Sequence, residues 1–147
     1  MLRGNHPARI DDKVRLKIPN GFRSLVVAQY GSEVFVTSVT GDYVRLYPMP
    51  VWLEIEKKLA AVPAAHPSRQ RFLDRVNFFG QAGEIDAQGR VLIPQLLRES
   101  AAMSGEVSVL GLQNHLAVWN QKRLHERLFK REPFSEEDGR LLAEYGI

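Results

Sequence analysis

Six cations, Arg3, Arg9, Lys13, Arg15, Lys17 and Arg23, crowd the first 23 residues against only Asp11 and Asp12. Residues so placed offer one chemistry above all, the neutralisation of an anionic surface, and a phosphate backbone fits that footprint. Charge alone leaves a merely solvated cationic face as an equal reading. The imbalance is confined to one half of the chain. Residues 1–74 hold eleven Lys/Arg against seven Asp/Glu, net +4, whereas residues 75–147 hold nine against ten, net −1. Within the basic stretch, Arg15 has the planar fork that matches O6 and N7 of guanine, while Lys13 and Lys17 suit phosphate contacts. Arg15 can instead pair with Asp11 across its own turn. Arg3 and Arg9 extend the cationic surface or join subunits.

Other chemistries find no support. There is no cysteine, which removes disulfides and thiol catalysis. No Gly-rich phosphate loop or nucleophile elbow occurs. His66, His115 and His125 are scattered, and no His/Asp/Glu spacing suggests a metal ligand set. Asp11 and Asp12 are adjacent in a turn and diverge, so they do not form a catalytic pair. The reading is therefore of a protein that is not an enzyme, with no catalytic residues, metal, cofactor or small-molecule substrate. No apolar run approaches the roughly 18 residues of a membrane span, and no secretory signal is recognisable, so a cytoplasmic location without membrane partners is expected.

The residues that hold Arg15 occur twice. Ile10-Asp11-Asp12-Lys13-Val14-Arg15-Leu16-Lys17-Ile18-Pro19 returns as Ile85-Asp86-Ala87-Gln88-Gly89-Arg90-Val91-Leu92-Ile93-Pro94. Each copy reads as a hairpin followed by a helix. In the first, Ala8–Ile10 and Arg15–Ile18 flank a turn at Asp11–Val14, and Pro19 suits the first position of a helix reaching about Gln29. Strands at Val34–Val36 and Val44–Tyr47 follow. In the second, Glu84–Asp86 and Arg90–Ile93 make the hairpin, Pro94–Met103 the helix, and Val107–Leu110 and Leu116–Trp119 the closing strands. Further helices are expected at Val51–Ala61, from His66-Pro67-Ser68 through Val76, at Gln121–Lys130 and, capped by Ser135, in the tail. Trp52 and Trp119 read as core or interface anchors and Met103 as core. Arg71 and Arg75 share a face of the connecting helix, where a solvated surface is the simplest role.

One such unit has four short strands and one helix, too little to bury a stable core. Two units that exchange hairpins complete each other's sheets and pair their edges internally. The fold class is therefore α+β, with two tandem βαβ-type half-units. Arg90 is read as structural, paired with Asp86, because Gln88 and Leu92 leave it without cationic neighbours.

Asp-x-x-Gly-Arg-x-x-Ile-Pro, intact in Asp86–Pro94, resembles the hallmark of the swapped-hairpin, AbrB-like transcription factors. Two copies in one chain resemble the MraZ family of bacterial regulators. Arg3-Gly4-Asn5, Leu46-Tyr47-Pro48-Met49-Pro50-Val51-Trp52, Phe72-Leu73-Asp74-Arg75, Gly80-Gln81 and Gln95-Leu96-Leu97-Arg98 add to the match, which covers about residues 1–130. The resemblance implies one swapped-hairpin β-barrel with flanking helices. On that basis, residues 5–50 are the first, DNA-contacting repeat and 51–80 the connecting helices. Residues 81–123 are the second repeat and 124–147 a helical tail. It also implies a nucleoid-associated repressor of the division and cell-wall gene cluster. Such a protein binds short direct repeats of double-stranded promoter DNA as a cyclic homo-oligomer. Arg15 matches the family's DNA-contacting arginine, with Lys13 beside it and Lys17, Arg9 and Arg3 as further contacts. Asp11, Asp86, Gly89, Arg90, Pro19 and Pro94 match the structural motif. An antitoxin-like, partner-binding protein is the alternative, since the same barrel serves there.

The family's first motif carries glycine where this chain has Val14, while the second copy keeps Gly89. A left-handed backbone would cost a β-branched residue about 1–2 kcal/mol. The first turn is therefore expected either to be reshaped or to take ordinary dihedrals at Val14.

Overall fold

Leu16 and Ile18 point inward from one copy and Val91 and Ile93 from the other, and all four are fully buried in one core. That shared core explains the doubling. The computed structural model describes residues 1–147. The first copy comprises strands β1 (Leu2–Ile10) and β2 (Arg15–Lys17), helix α1 (Asn20–Tyr30), β3 (Glu33–Thr37) and β4 (Val44–Pro48). Helices α2 (Met49–Ala60) and α3 (Pro67–Phe78) lead to the second copy. It comprises β5 (Gln81–Glu84), β6 (Arg90–Leu92), α4 (Gln95–Ser100), β7 (Gly105–Gln113) and β8 (Leu116–Asn120). Helix α5 (Gln121–Glu126), a π-helical turn at Arg127–Arg131 and helix α6 (Glu136–Ala143) complete the chain. No helix is long and apolar enough to cross a membrane.

The strands form one antiparallel, nearly closed eight-stranded barrel in the order β5-β3-β4-β8-β7-β1-β2-β6. The exchange of hairpins is visible in its ladders. β1 pairs with β7, β2 with β6, β3 with β5 and β4 with β8, so each of these ladders joins the two copies. The fold is mixed α+β, with the helices flanking the barrel.

Pro48 ends β4, and Pro19 and Pro94 follow shortly after β2 and β6. Their backbones are nearly identical, φ −52°, −55° and −53° and ψ 137°, 138° and 139° for Pro19, Pro48 and Pro94, and they stand as N-caps of α1, α2 and α4. Each proline thus lies one residue before the first helical position expected for Pro19. Its fixed φ suits the extended strand end as well as a helix start. Asn120 takes the same role before α5, its side chain accepting the Arg123 amide. Helix α3 is tied to the barrel by the buried hydroxyl of Thr37, which donates to the Val76 carbonyl at 2.7 Å. Trp52 lies against Phe35, Tyr47 and Phe72, Trp119 stacks on Tyr43, and Met103 is fully buried.

Several elements differ from the sequence reading, among them β5, which spans Gln81–Glu84 rather than Glu84–Asp86 because it pairs there with β3. β1 and β7 are nine residues each, not three and four, because they pair along their whole length, from Leu2↔Gln113 to Ile10↔Gly105. α4 stops at Ser100 rather than Met103, since Ala102 turns left-handed at φ 51° and the Met103 amide returns to the Arg98 carbonyl. The helix expected through Lys130 is α-helical only to Glu126 and then widens into the π turn. There Arg127 pairs with Glu132 at 2.6 Å and lies 5.0 Å from the Trp119 ring centroid.

Candidate nucleic-acid interface

Asp11 builds the first turn from one carboxylate. Its Oδ1 accepts the amides of Lys13 and Arg15, both at 2.9 Å, and its Oδ2 accepts Arg15 Nε at 2.9 Å. The Arg15 amide foremost, then the Lys13 amide and the guanidinium, hold this carboxyl below the usual carboxylate range. Asp86 repeats the scheme with the amides of Gln88 and Arg90, also at 2.9 Å, and is lowered for the same reason. The turns interlock: the Ile18 amide donates to Gly89 O and the Ile93 amide to Val14 O, each at 2.9 Å.

The arginine side chains part company. Arg15 pairs with Asp11, whereas Arg90 turns away from Asp86 and donates from Nη1 to Gln88 Oε1. The expected Arg90–Asp86 pairing is therefore not formed, because Gln88 offers an acceptor that Lys13 does not. With Nε held by Asp11, Arg15 keeps both terminal nitrogens for a further partner. Pairing with Asp11 and reaching outward are compatible.

Val14 is left-handed, with φ 61°, and matches Gly89 at φ 80°. Neither alternative expected for this position holds: the turn is not reshaped and the dihedral is not ordinary. The interlocking bonds over-determine the turn, so Val14 bears strain of about 1–2 kcal/mol while its side chain packs half-buried against the core.

Strand pairing gathers cations that the linear sequence separates. The β1–β2 register, Ile10↔Leu16, sets Arg9 across from Lys17, and the β2–β6 register sets Lys17 across from Arg90. Both Arg9 and Lys17 line one cleft with Pro7, Ile18 and Pro19. Arg9, Lys17 and Arg90 thus form a row across three adjacent strands, which are about 4.8 Å apart. Lys13 and Arg15 stand at the neighbouring turn. Glu106 ends the row, 4.0 Å from Arg9, with both side chains mostly in solvent. Arg90 becomes a neighbour of Lys17 through cross-strand pairing, which the order of residues along the chain does not display. The repeat contains the signal: Leu16 and Val91 are equivalent positions, so a two-fold exchange through them puts Lys17 opposite Arg90.

Arg3 does not join this group. It is exposed near the other end of β1, opposite Leu112, six residues and about 20 Å from Arg9. Pro19 and Pro94 turn the chain into α1 and α4. Arg71 and Arg75 line a separate groove on α3 with Asp74, Phe78 and Phe79. No group of three His, Asp or Glu side chains is placed to hold a metal ion.

Away from the interface, His115 stacks on Tyr47 with ring centroids 4.8 Å apart, near Arg45. Burial first, and Arg45 second, push its pKa down to about 4. A depressed histidine is neutral in the fold, so stability is complete above the unfolded value of about 6.5 and falls as pH drops from there toward 4. Allowing for its partial exposure, the loss should be about 1–2 kcal/mol. Urea unfolding at pH 7.5 and 4.5 checks this, with His115→Gln expected to show a smaller difference than wild type. Equal pH dependence in the two proteins would remove His115 as its source.

Comparison with known proteins supplies the lineage. A family model described as "MraZ protein, putative antitoxin-like" matches residues 79–144. The curated protein "Transcriptional regulator MraZ" of Acidobacterium capsulatum is 47% identical over 147 residues, covering all of both chains. Its namesakes in Koribacter versatilis and Halothermothrix orenii are 47% and 34% identical, again over the full length of both chains. Identity of this extent, on a chain whose two copies exchange hairpins, places the protein: it belongs to the MraZ family.

Proposed function

We propose that the protein binds double-stranded promoter DNA in a sequence-specific manner and regulates transcription, acting by binding rather than catalysis. The row Arg9–Lys17–Arg90 beside Lys13 and Arg15 carries this reading. Like charges opposite one another on paired strands cost about 0.2–1 kcal/mol per pair, a cost that an anionic partner reverses. Arg15, held at Nε by Asp11, presents its terminal nitrogens in the geometry that forks to guanine, and a β-hairpin is narrow enough to enter a major groove. The relatives' printed name, transcriptional regulator, supports the same reading.

In its fuller form, the protein is a repressor of the division and cell-wall (dcw) cluster, including its own gene, in the cytoplasm and on the nucleoid. A ring of copies places successive first turns on successive direct repeats, and avidity converts weak single contacts into useful affinity. Exposed Leu53 on α2 and Phe78 on α3 are suited to such self-association. Residues 5–50 serve as the contacting repeat, 81–123 as its structural partner, 51–80 as the connection and 124–147 as the tail. A partner-binding, antitoxin-like role is the second reading, favoured by the family description and by exposed Phe134, Tyr145 and Ile147 in the tail.

The test is a titration of duplex from upstream of the protein's own gene against a scrambled duplex, over a salt series. Tighter binding to the upstream duplex is expected, with log K falling by about 0.9 per log salt for each phosphate neutralised. Equal affinity for both duplexes would end the sequence-specific reading.

A further inference from the structure

The two turns are copies, yet a helix arginine lies across only one of them. Arg23 of α1 reaches the second turn, where Nη2 donates to the Ala87 carbonyl at 2.6 Å. Its side chain runs over Gly89 so closely that a Cβ there would meet Cδ at 3.0 Å, Nη1 at 3.2 Å and Nε at 3.3 Å. Arg23 is half-buried and Gly89 buried as a result.

The repeat makes Arg98 of α4 the counterpart of Arg23, and Val14 the counterpart of Gly89. The local frame is equivalent. The Arg98 amide donates to the Pro94 carbonyl at 3.2 Å, as Arg23 does to Pro19 at 2.9 Å. Pro94 directly follows Ile93, whose amide is bonded to Val14 O. What differs is the space. Val14 keeps the left-handed backbone that the glycine has, and a Cβ at the equivalent Gly89 would meet the Arg23 side chain, so by the repeat the Val14 side chain stands where an arginine laid across the first turn would run. Arg98 is exposed, and its side chain makes no hydrogen bond or ion pair.

We propose that Val14 holds Arg98 off the first turn and so makes it a phosphate-contacting residue beside Lys13 and Arg15, a contact surface that the second turn lacks. The inference rests on the DNA-binding reading above. With glycine at position 14, the guanidinium of Arg98 would fold onto the Asp12 carbonyl, the counterpart of Ala87, and its charge would be engaged within the protein.

A double-variant cycle on the full-length protein tests this, with affinity for the upstream and scrambled duplexes measured across salt. Arg98→Gln should weaken both duplexes about three- to tenfold and reduce the salt slope by about 0.9, leaving their ratio unchanged, because phosphate contacts carry no sequence information. Val14→Gly should give a similar loss, and Arg98→Gln should add nothing in that background. Val14→Asn, which tolerates the left-handed backbone yet retains a Cβ, should bind as wild type does. A crystal structure of Val14→Gly should show Arg98 on the Asp12 carbonyl. An unchanged slope in Arg98→Gln, or losses that add in the double variant, overturns the inference while the DNA-binding reading stands. A wild type that binds neither duplex overturns both.

Discussion

Arg15→Ala should lower affinity for the upstream duplex by about 10²- to 10³-fold, combining the 1–3 kcal/mol of a bidentate base contact with its repetition across the subunits of the proposed ring. The fold should scarcely notice. The side chains of Arg15 and Asp11 are 30% and 31% exposed, and an ion pair of that kind contributes about 1 kcal/mol or less. Both turn amides still reach Asp11 Oδ1 without the guanidinium. Arg15→Lys sharpens the assignment. Lysine keeps the charge but not the fork, so it should retain much of the affinity for scrambled duplex and lose the preference for the upstream one. Fluorescence anisotropy at constant salt, with thermal melting as the folding control, measures all three proteins. Wild-type affinity in a folded Arg15→Ala protein would move the interface away from the first turn.

The largest stability loss should come from Gly111→Val, at about 3 kcal/mol. Gly111 lies opposite Gly4 in the β1–β7 ladder, and a Cβ there would collide with the Arg3 amide nitrogen and meet Arg3 Cα at 2.7 Å. These are backbone atoms and cannot swing aside. The ladder must part, unpinning the strand that delivers Arg9 to the row. Gly21→Ala is the control. Nothing lies within 4 Å of its added methyl, and on α1 the change should stabilise by about 0.5 kcal/mol. Denaturant melts of the two variants should move in opposite directions. A Gly111→Val protein as stable as wild type would mean that the β1–β7 ladder is not under this constraint.

The doubled hairpin–helix–hairpin order was legible because it rests on local signals: apolar Leu16 and Ile18 alternating with basic residues, and the repeated Ile-Pro strand ends. The length of β1 was not. Arg3–Pro7 shows no apolar alternation and includes a proline, and its strand character is conferred by a partner in the other copy. The motif spacing marked Asp11 and Asp86 as partners of Arg15 and Arg90, whereas their carboxylates' hold on the turn amides appears only in the folded turn. The destination of the two arginines depended on residue 13 against residue 88, lysine against glutamine, a choice that spacing alone does not weigh. Arg90 joined the basic row through cross-strand register, which becomes readable only once the exchange of hairpins is applied to individual positions. At Val14 the ordinary cost of a left-handed β-branched residue argued for a different turn, but hydrogen bonds from both copies left the backbone no other course.

The β1–β7 ladder also governs when the protein becomes competent. Leu2 waits for Gln113 and Ile10 for Gly105, so the first strand made is among the last to be paired. During synthesis the first copy emerges with its edges open and its arginine turn unsupported, since the bond from Ile93 to Val14 O lies nearly eighty residues downstream. A prematurely terminated chain therefore carries Lys13, Arg15 and Lys17 without the bond from the second copy that holds their turn. Completion of the second copy is what fixes the turn of the first, so a fragment lacks its geometry.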